Sequence, residues 1–195
     1  MGSAALTTNT TGASNVALGA SALRLNTTAS NNTAVGYQSL YDNTTGVRNS
    51  AYGDNSLANN TTANNNNAFG YLSLNTNTTG TANVAMGTEA LFSNTTASNN
   101  TAVGYNALVA NTTGYNVTSV GYRSMAANTT GHSSVAFGVD SLYTNTTGAE
   151  NTAVGSRAMI YNSTGSSNTA LGRRALENNT TASNNTAVGD RKSVV

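Results

Sequence analysis

Apolar positions along the chain recur every seventeen residues, a period that belongs neither to a single helix nor to a single strand. Steps of 17 from the glycine of Asn32-Thr33-Ala34-Val35-Gly36 reach Gly2, Gly19, Gly53, Gly70, Gly87, Gly104, Gly121, Gly138, Gly155, Gly172 and Gly189. With this glycine as column 0, column +4 holds Leu or Met throughout: Leu6, Leu23, Leu40, Leu57, Leu74, Leu91, Leu108, Met125, Leu142, Met159 and Leu176. The residue before the glycine is always apolar or aromatic, from Leu18, Val35, Tyr52 and Phe69 to Val188, and the one before that is Ala, once Ser119. Polar columns are as strict. Asn fills column +7 from Asn9 to Asn179, with Asn43, Asn60, Asn77, Asn94 and Asn111 among them, and Thr fills +8 (once Ser163) and +9. Column +10 is Gly at 12, 46, 80, 114, 131, 148 and 165, and Ala at 29, 63, 97 and 182.

Seventeen residues are too few for a helix pair or a propeller blade, and the Asn, Thr and Gly that fill the unit are weak helix formers. Two short strands and two tight turns fit the length. The Asn-Thr-Ala-Val segment predicts the first strand, Ser-Leu and the two residues after it the second, and Asn-Thr-Thr-Gly the return turn. Gly supplies positive φ at the turns, and Asn tolerates it. Like residues at a fixed interval stack only if each circuit lies parallel on the last. The prediction is therefore an all-β parallel β-solenoid of about twelve coils over residues 1–195, a single repeat array. Gly36, Gly53, Gly70, Gly87 and Gly104, with the Leu and Asn columns, are its structural ladders, the asparagines bonding along the axis. Twelve coils give a rod of about 55–60 Å. At 190–195 the pattern decays, Lys192 and Ser193 replacing the small residue and Leu, which predicts a degenerate end or the start of a following segment. No capping element covers the first coil, so the chain reads as part of a longer fibre or as a unit that stacks end to end.

Charge supports the register. Fourteen of the fifteen charged residues fall in columns +1, +2, +5, +6 and +12, which are read as solvent-facing, in contrast to the Ala, Leu, Val and Thr-Thr columns. In the first strand both side-chain faces are apolar, Ala on one and Val, Leu or Phe on the other. A single solenoid buries only one of them, so an apolar stripe would run exposed along the rod. Side-by-side packing about a common axis follows, the spacing being compatible with two chains or three.

Composition narrows the chemistry. With 32 Asn and 33 Thr, 8% charged residues and a net charge of +1, the chain has no electrostatic footprint for nucleic acid or anionic lipid. No apolar run reaches membrane-spanning length. His132, the single histidine, lies in a turn column with no companion nucleophile or carboxylate, and Asp never recurs in the pattern of calcium-binding solenoids. Phosphate-binding loops are absent from the sequence, so neither an enzyme nor a cofactor or metal site is predicted. Asn-Thr-Thr is formally a glycosylation sequon in every full repeat, but an Asn ladder explains it better. Tyr37, Tyr71, Tyr105 and Tyr122 share column +1 and form a candidate ligand-facing flank.

The segments Ser14-Asn15-Val16-Ala17-Leu18-Gly19, Asn32-Thr33-Ala34-Val35-Gly36-Tyr37 and Ser133-Ser134-Val135-Ala136-Phe137-Gly138 resemble the repeats of YadA-type heads, the head domains of trimeric autotransporter adhesins. The longer unit also resembles arrays in phage tail-fibre-like and bacterial surface proteins. The resemblance implies a left-handed parallel β-roll, a homotrimer, and a place outside the cell, on a cell surface or virion fibre. The function it implies is adhesion or display, toward a host-cell or matrix ligand. An alternative expectation is ice binding, since regular Thr arrays on flat solenoid faces order water. Here the two Thr columns are adjacent, so at most one of them points outward from an extended segment.

Overall fold

Each circuit contains one segment suited to extension, the triplet ending in Ala and an apolar residue before the marker glycine. In the computed structural model, which describes residues 2–190, this triplet is the only strand of each circuit. The strands are β1 (Val16–Leu18), β2 (Thr33–Val35), β3 (Ser50–Tyr52), β4 (Asn67–Phe69), β5 (Val84–Met86), β6 (Thr101–Val103), β7 (Thr118–Val120), β8 (Val135–Phe137), β9 (Thr152–Val154), β10 (Thr169–Leu171) and β11 (Thr186–Val188). They form one parallel sheet in sequence order, each residue paired with its equivalent seventeen places on, as in Ala34 with Ala51. The fold is thus an all-β parallel solenoid of about ten turns, and β1 lies about 48 Å from β11. Gly189 and Asp190 begin a twelfth repeat; the rest of it, with the decayed pattern at 191–195, lies outside the described residues.

The expected second strand does not form. Columns +2 and +4 both take left-handed backbone, as at Gln38 (φ 50°) and Leu40 (φ 51°), and alternate left-handed residues curl the segment instead of extending it. The backbone ladder continues through the curl: Leu40 N–H donates to the Ser56 carbonyl at 3.0 Å, and Gln38 N–H to the Ala20 carbonyl at 3.0 Å. A third left-handed residue stands at +12 in each circuit, from Ser14 to Asn184. Left-handed leucine costs about 1–2 kcal/mol of backbone energy. Burying its side chain offsets this by about 1.5–3 kcal/mol, and Leu23, Leu40, Leu57, Leu74, Leu91 and Leu108 are completely buried. With the strand alanines they form one continuous thin core.

The two glycine columns differ in kind. Marker glycines have φ between 125° and 141° from Gly19 onward, and a Cβ on Gly87 would lie 2.4 Å from the Gly104 carbonyl oxygen. Column +10 is not left-handed, which is why alanine enters it. What limits it is space along the axis.

That limit can be measured in the column +7 ladder, where each Asn amide nitrogen donates to the preceding Asn Oδ1. The bond is 3.1–3.2 Å wherever the preceding coil carries Ala at +10, as for Asn43, Asn77 and Asn111. After a glycine coil it is 2.7–2.8 Å for Asn26, Asn60, Asn94, Asn128, Asn145 and Asn179, with Asn162 at 3.1 Å the exception. A methyl group at +10 props the next coil away by a few tenths of an ångström, and alanine coils are always separated by glycine coils in the sequence.

A second Asn ladder stands four places before the marker. The Asn49 backbone N–H donates to Asn32 Oδ1 at 2.9 Å, and Asn32 Nδ2 donates to the Gly46 carbonyl at 2.8 Å. The same carbonyl accepts from Asn43 Nδ2 at 3.0 Å, so the two ladders converge on one acceptor. The sequence signal is plain in hindsight: Asn recurs in this column and gives way only to Val117 and Ser134. Across that break, between the coils of β7 and β8, Val117 offers neither amide oxygen nor amide nitrogen. Two aromatic stacks bridge the same junction on the outside, Tyr105 on Tyr122 (5.5 Å) and Tyr115 on His132 (4.8 Å).

Candidate functional site

Three faces of the rod carry side chains that the chain itself does not use up. The first is the outer face of the sheet. Alternation along the strand turns Ala inward, and from β2 to β10 this residue is buried, while its two neighbours point out. Of the sixteen large apolar side chains left exposed, seven lie in the column before the marker and two more (Val16 and Val135) two places earlier. Leu18, Met86, Phe137, Leu171 and Val188 are among the seven, and Tyr52 stacks on Phe69 with centroids 4.8 Å apart. A continuous apolar stripe therefore runs along the sheet.

The second face is the flank past the marker glycine. Tyr37, Tyr71, Tyr105 and Tyr122 project there, each about half exposed, and Val139 continues the column. Around Tyr122 the curl packs against it: the Arg123 guanidinium lies 5.1 Å from the Tyr122 ring centroid and 4.8 Å from that of Tyr143, and Arg123 Nε donates to Asp140 Oδ1 at 3.0 Å. The Asp140 hydrogen bond raises the Arg123 pKa above its ordinary value. Tyr143, in column +5, belongs to this flank through Arg123, which column spacing alone does not show. Column +2 is half-buried throughout, not fully solvent-facing, because its left-handed backbone lays these side chains along the curl. Asp42 in column +6 is partly covered, and burial pushes its carboxyl pKa up.

The third face is the Thr return. The first Thr of each pair turns its hydroxyl along the axis, Thr44 Oγ1 donating to the Thr61 carbonyl at 3.1 Å and Thr61 Oγ1 to the Thr78 carbonyl at 3.2 Å. The second Thr is exposed in every coil from Thr11 to Thr181, contrary to the expectation that both Thr columns turn away from solvent. The +12 column beside it is exposed throughout as well.

The candidate ladder residues lie inside, not on these faces. Asn43, Asn60, Asn77, Asn94 and Asn111 are fully buried, and each amide nitrogen donates twice. A sequon asparagine held this way has no amide left to carry a glycan in the folded chain. His132 is half-buried, its ring parallel to that of Tyr115 and its Nδ1 3.3 Å from Ser133 Oγ. Among the described residues no three His, Cys, Asp or Glu side chains gather in a way that could hold a metal ion, and no helix is long and apolar enough to cross a membrane. No protein-family model, no curated protein and no solved structure matches this chain.

Proposed function

We propose that the chain is a structural and adhesive fibre segment, of the kind carried by cell-surface adhesins and phage tail fibres. Three copies pack side by side through the outer sheet face and leave the tyrosine and threonine faces on display outside the cell. The observation that carries the proposal is the uncovered stripe from Leu18 to Val188 on a sheet whose other face is already buried. Strands apolar on both faces are normally covered on both, and a solenoid offers its own seventeen-residue period to a second copy along the whole length. Closed cyclic symmetry satisfies every copy alike; the number three comes from the resemblance of Ser14–Gly19 and its equivalents to YadA-type heads. No catalytic role is proposed. Light scattering on the purified chain tests the assembly: a trimer mass is expected, with Phe69→Lys giving a folded monomer, and a monomer for the unaltered chain overturns the proposal.

One observation favours a second reading, ice binding. The outward Thr column is complete, one hydroxyl and one methyl per coil at about 4.8 Å. Thermal hysteresis and ice recrystallisation assays decide it: activity in a monomer that Thr79→Tyr removes would replace the fibre proposal, and no activity eliminates the alternative.

A further inference from the structure

We propose that the tyrosine flank between Tyr37 and Tyr105 binds a neutral, ribbon-like polysaccharide of equatorially linked glucose or N-acetylglucosamine, laid along the rod axis. Tyr37, Tyr71 and Tyr105 stand two coils apart, a spacing of about 9.4–9.8 Å. The intervening coils place short polar residues in the same column, Asp54 and Thr88, so the rings form separate platforms and not a continuous aromatic wall. In such a polysaccharide successive rings are turned over, and the same apolar ring face recurs at every second sugar, close to the spacing of the tyrosines. A platform under every second sugar therefore stays in phase over the four coil rises, about 19 Å, from Tyr37 to Tyr105.

The polar groups beside the platforms suit the hydroxyl edges of a sugar. Gln38, Asn55 and Asn106 stand in column +2 of three of these five coils, with Leu72 and Glu89 in the other two, and each is half-buried along the curl. Aromatic surface with a few convergent polar groups is the usual make-up of a ligand site, and tyrosine offers a flat apolar face with a polar rim. Charge selects within the class. In columns +1 and +2 between Tyr37 and Asn106 the charged residues are Asp54 and Glu89, both acidic, which repel a sulfated or carboxylated glycan. Beyond Tyr105 the two-coil rhythm ends, because Tyr122 stacks on Tyr105 from the next coil.

This deepens the reading of the chain as a displayed fibre segment and rests on it for its setting, but the flank lies within each chain, so binding is measurable in any state of assembly. The test is calorimetric titration of the full chain with the hexasaccharides of glucose and of N-acetylglucosamine, the matching disaccharides, and a sulfated hexasaccharide, with the mass measured on the same sample. One or both neutral hexasaccharides are expected to bind at least tenfold more tightly than their disaccharides, and their ranking identifies the polymer. Tyr71→Ala is expected to weaken binding about tenfold, equivalent to about 1.4 kcal/mol, without changing the thermal melt. Deleting residues 72–88, one whole coil, keeps the register and a folded rod but brings Tyr71 and Tyr105 into adjacent coils, and is expected to weaken binding at least as much. Absence of hexasaccharide binding at millimolar concentration, tighter binding of the sulfated chain, or indifference to both changes overturns the proposal, whatever the measured mass.

Discussion

The Asn60 amide nitrogen donates to Asn43 Oδ1 at 2.8 Å and to the Ala63 carbonyl at 3.1 Å, so one buried group fastens its own return turn and ties its coil to the one before. Asn60→Ala strands Asn43 Oδ1 and removes the acceptor of Asn77 Nδ2. Each buried group left without its partner costs about 1–3 kcal/mol, and the loss falls in the middle of a chain stabilised neighbour by neighbour. Urea denaturation is expected to show a clear drop in midpoint for Asn60→Ala and little change for the exposed Thr62→Ala. Equal midpoints would mean the ladder contributes nothing.

Interior and flank separate just as sharply between columns +4 and +2. Leu108→Asp places a carboxylate among fully buried leucines and is expected to prevent stable folding at neutral pH. Arg123→Ser removes a partly exposed ion pair with Asp140 and contacts to two tyrosines, and is expected to cost far less. Thermal melts that tolerate both changes alike would refute the register.

Ala82 has a φ of 57° and an exposed methyl group with nothing to hold it there. Glycine relieves the left-handed strain of about 1–2 kcal/mol while adding unfolded-state entropy of about 0.5–1 kcal/mol. Ala82→Gly is therefore expected to stabilise the fold slightly, by up to about 1 kcal/mol, against the usual direction of such a change. A lower melting temperature would show that the +12 position is not left-handed in solution.

Column +10 makes the opposite prediction. Gly80 lies between Ala63 and Ala97, whereas Gly148 lies between Gly131 and Gly165. A Cβ on Gly80 would stand 2.2 Å from the Ala97 carbonyl oxygen, and both adjoining coils already carry a methyl group, so no slack remains along the axis. Gly80→Ala is expected to destabilise by about 1–3 kcal/mol, as overpacking does, and Gly148→Ala by much less; chemical denaturation of the pair checks it.

Most of the architecture could be read from the chain because a solenoid repeats its evidence. The columns of Leu40, Asn43 and Gly36 each recur in the same place, and such recurrence has one structural solution, parallel stacking. The local conformation was harder to see. Ser39-Leu40 looks like strand sequence, and leucine is not a residue from which left-handed backbone is inferred; only the packing of Leu40 against its equivalents makes φ 51° tolerable. Thr44 and Thr45 are identical in kind, yet one hydroxyl bonds along the axis and the other faces water, a difference set by the turn and not by the residue. The tyrosines of column +1 were visible as a stripe, but their company with Tyr143 and Arg123 depends on how the curl folds back.

At the junction marked by Val117 the rod loses one of its two interior Asn ladders, while the Asn128–Asn111 bond at 2.8 Å and the pairing of β7 with β8 run on across it. On the outside a pair of ring clasps, Tyr105 with Tyr122 and Tyr115 with His132, adds to what remains within. A molecule docking on those rings acts where the interior fastening is thinner by one amide ladder, between the coil that ends at Val120 and the coil that begins at Gly121.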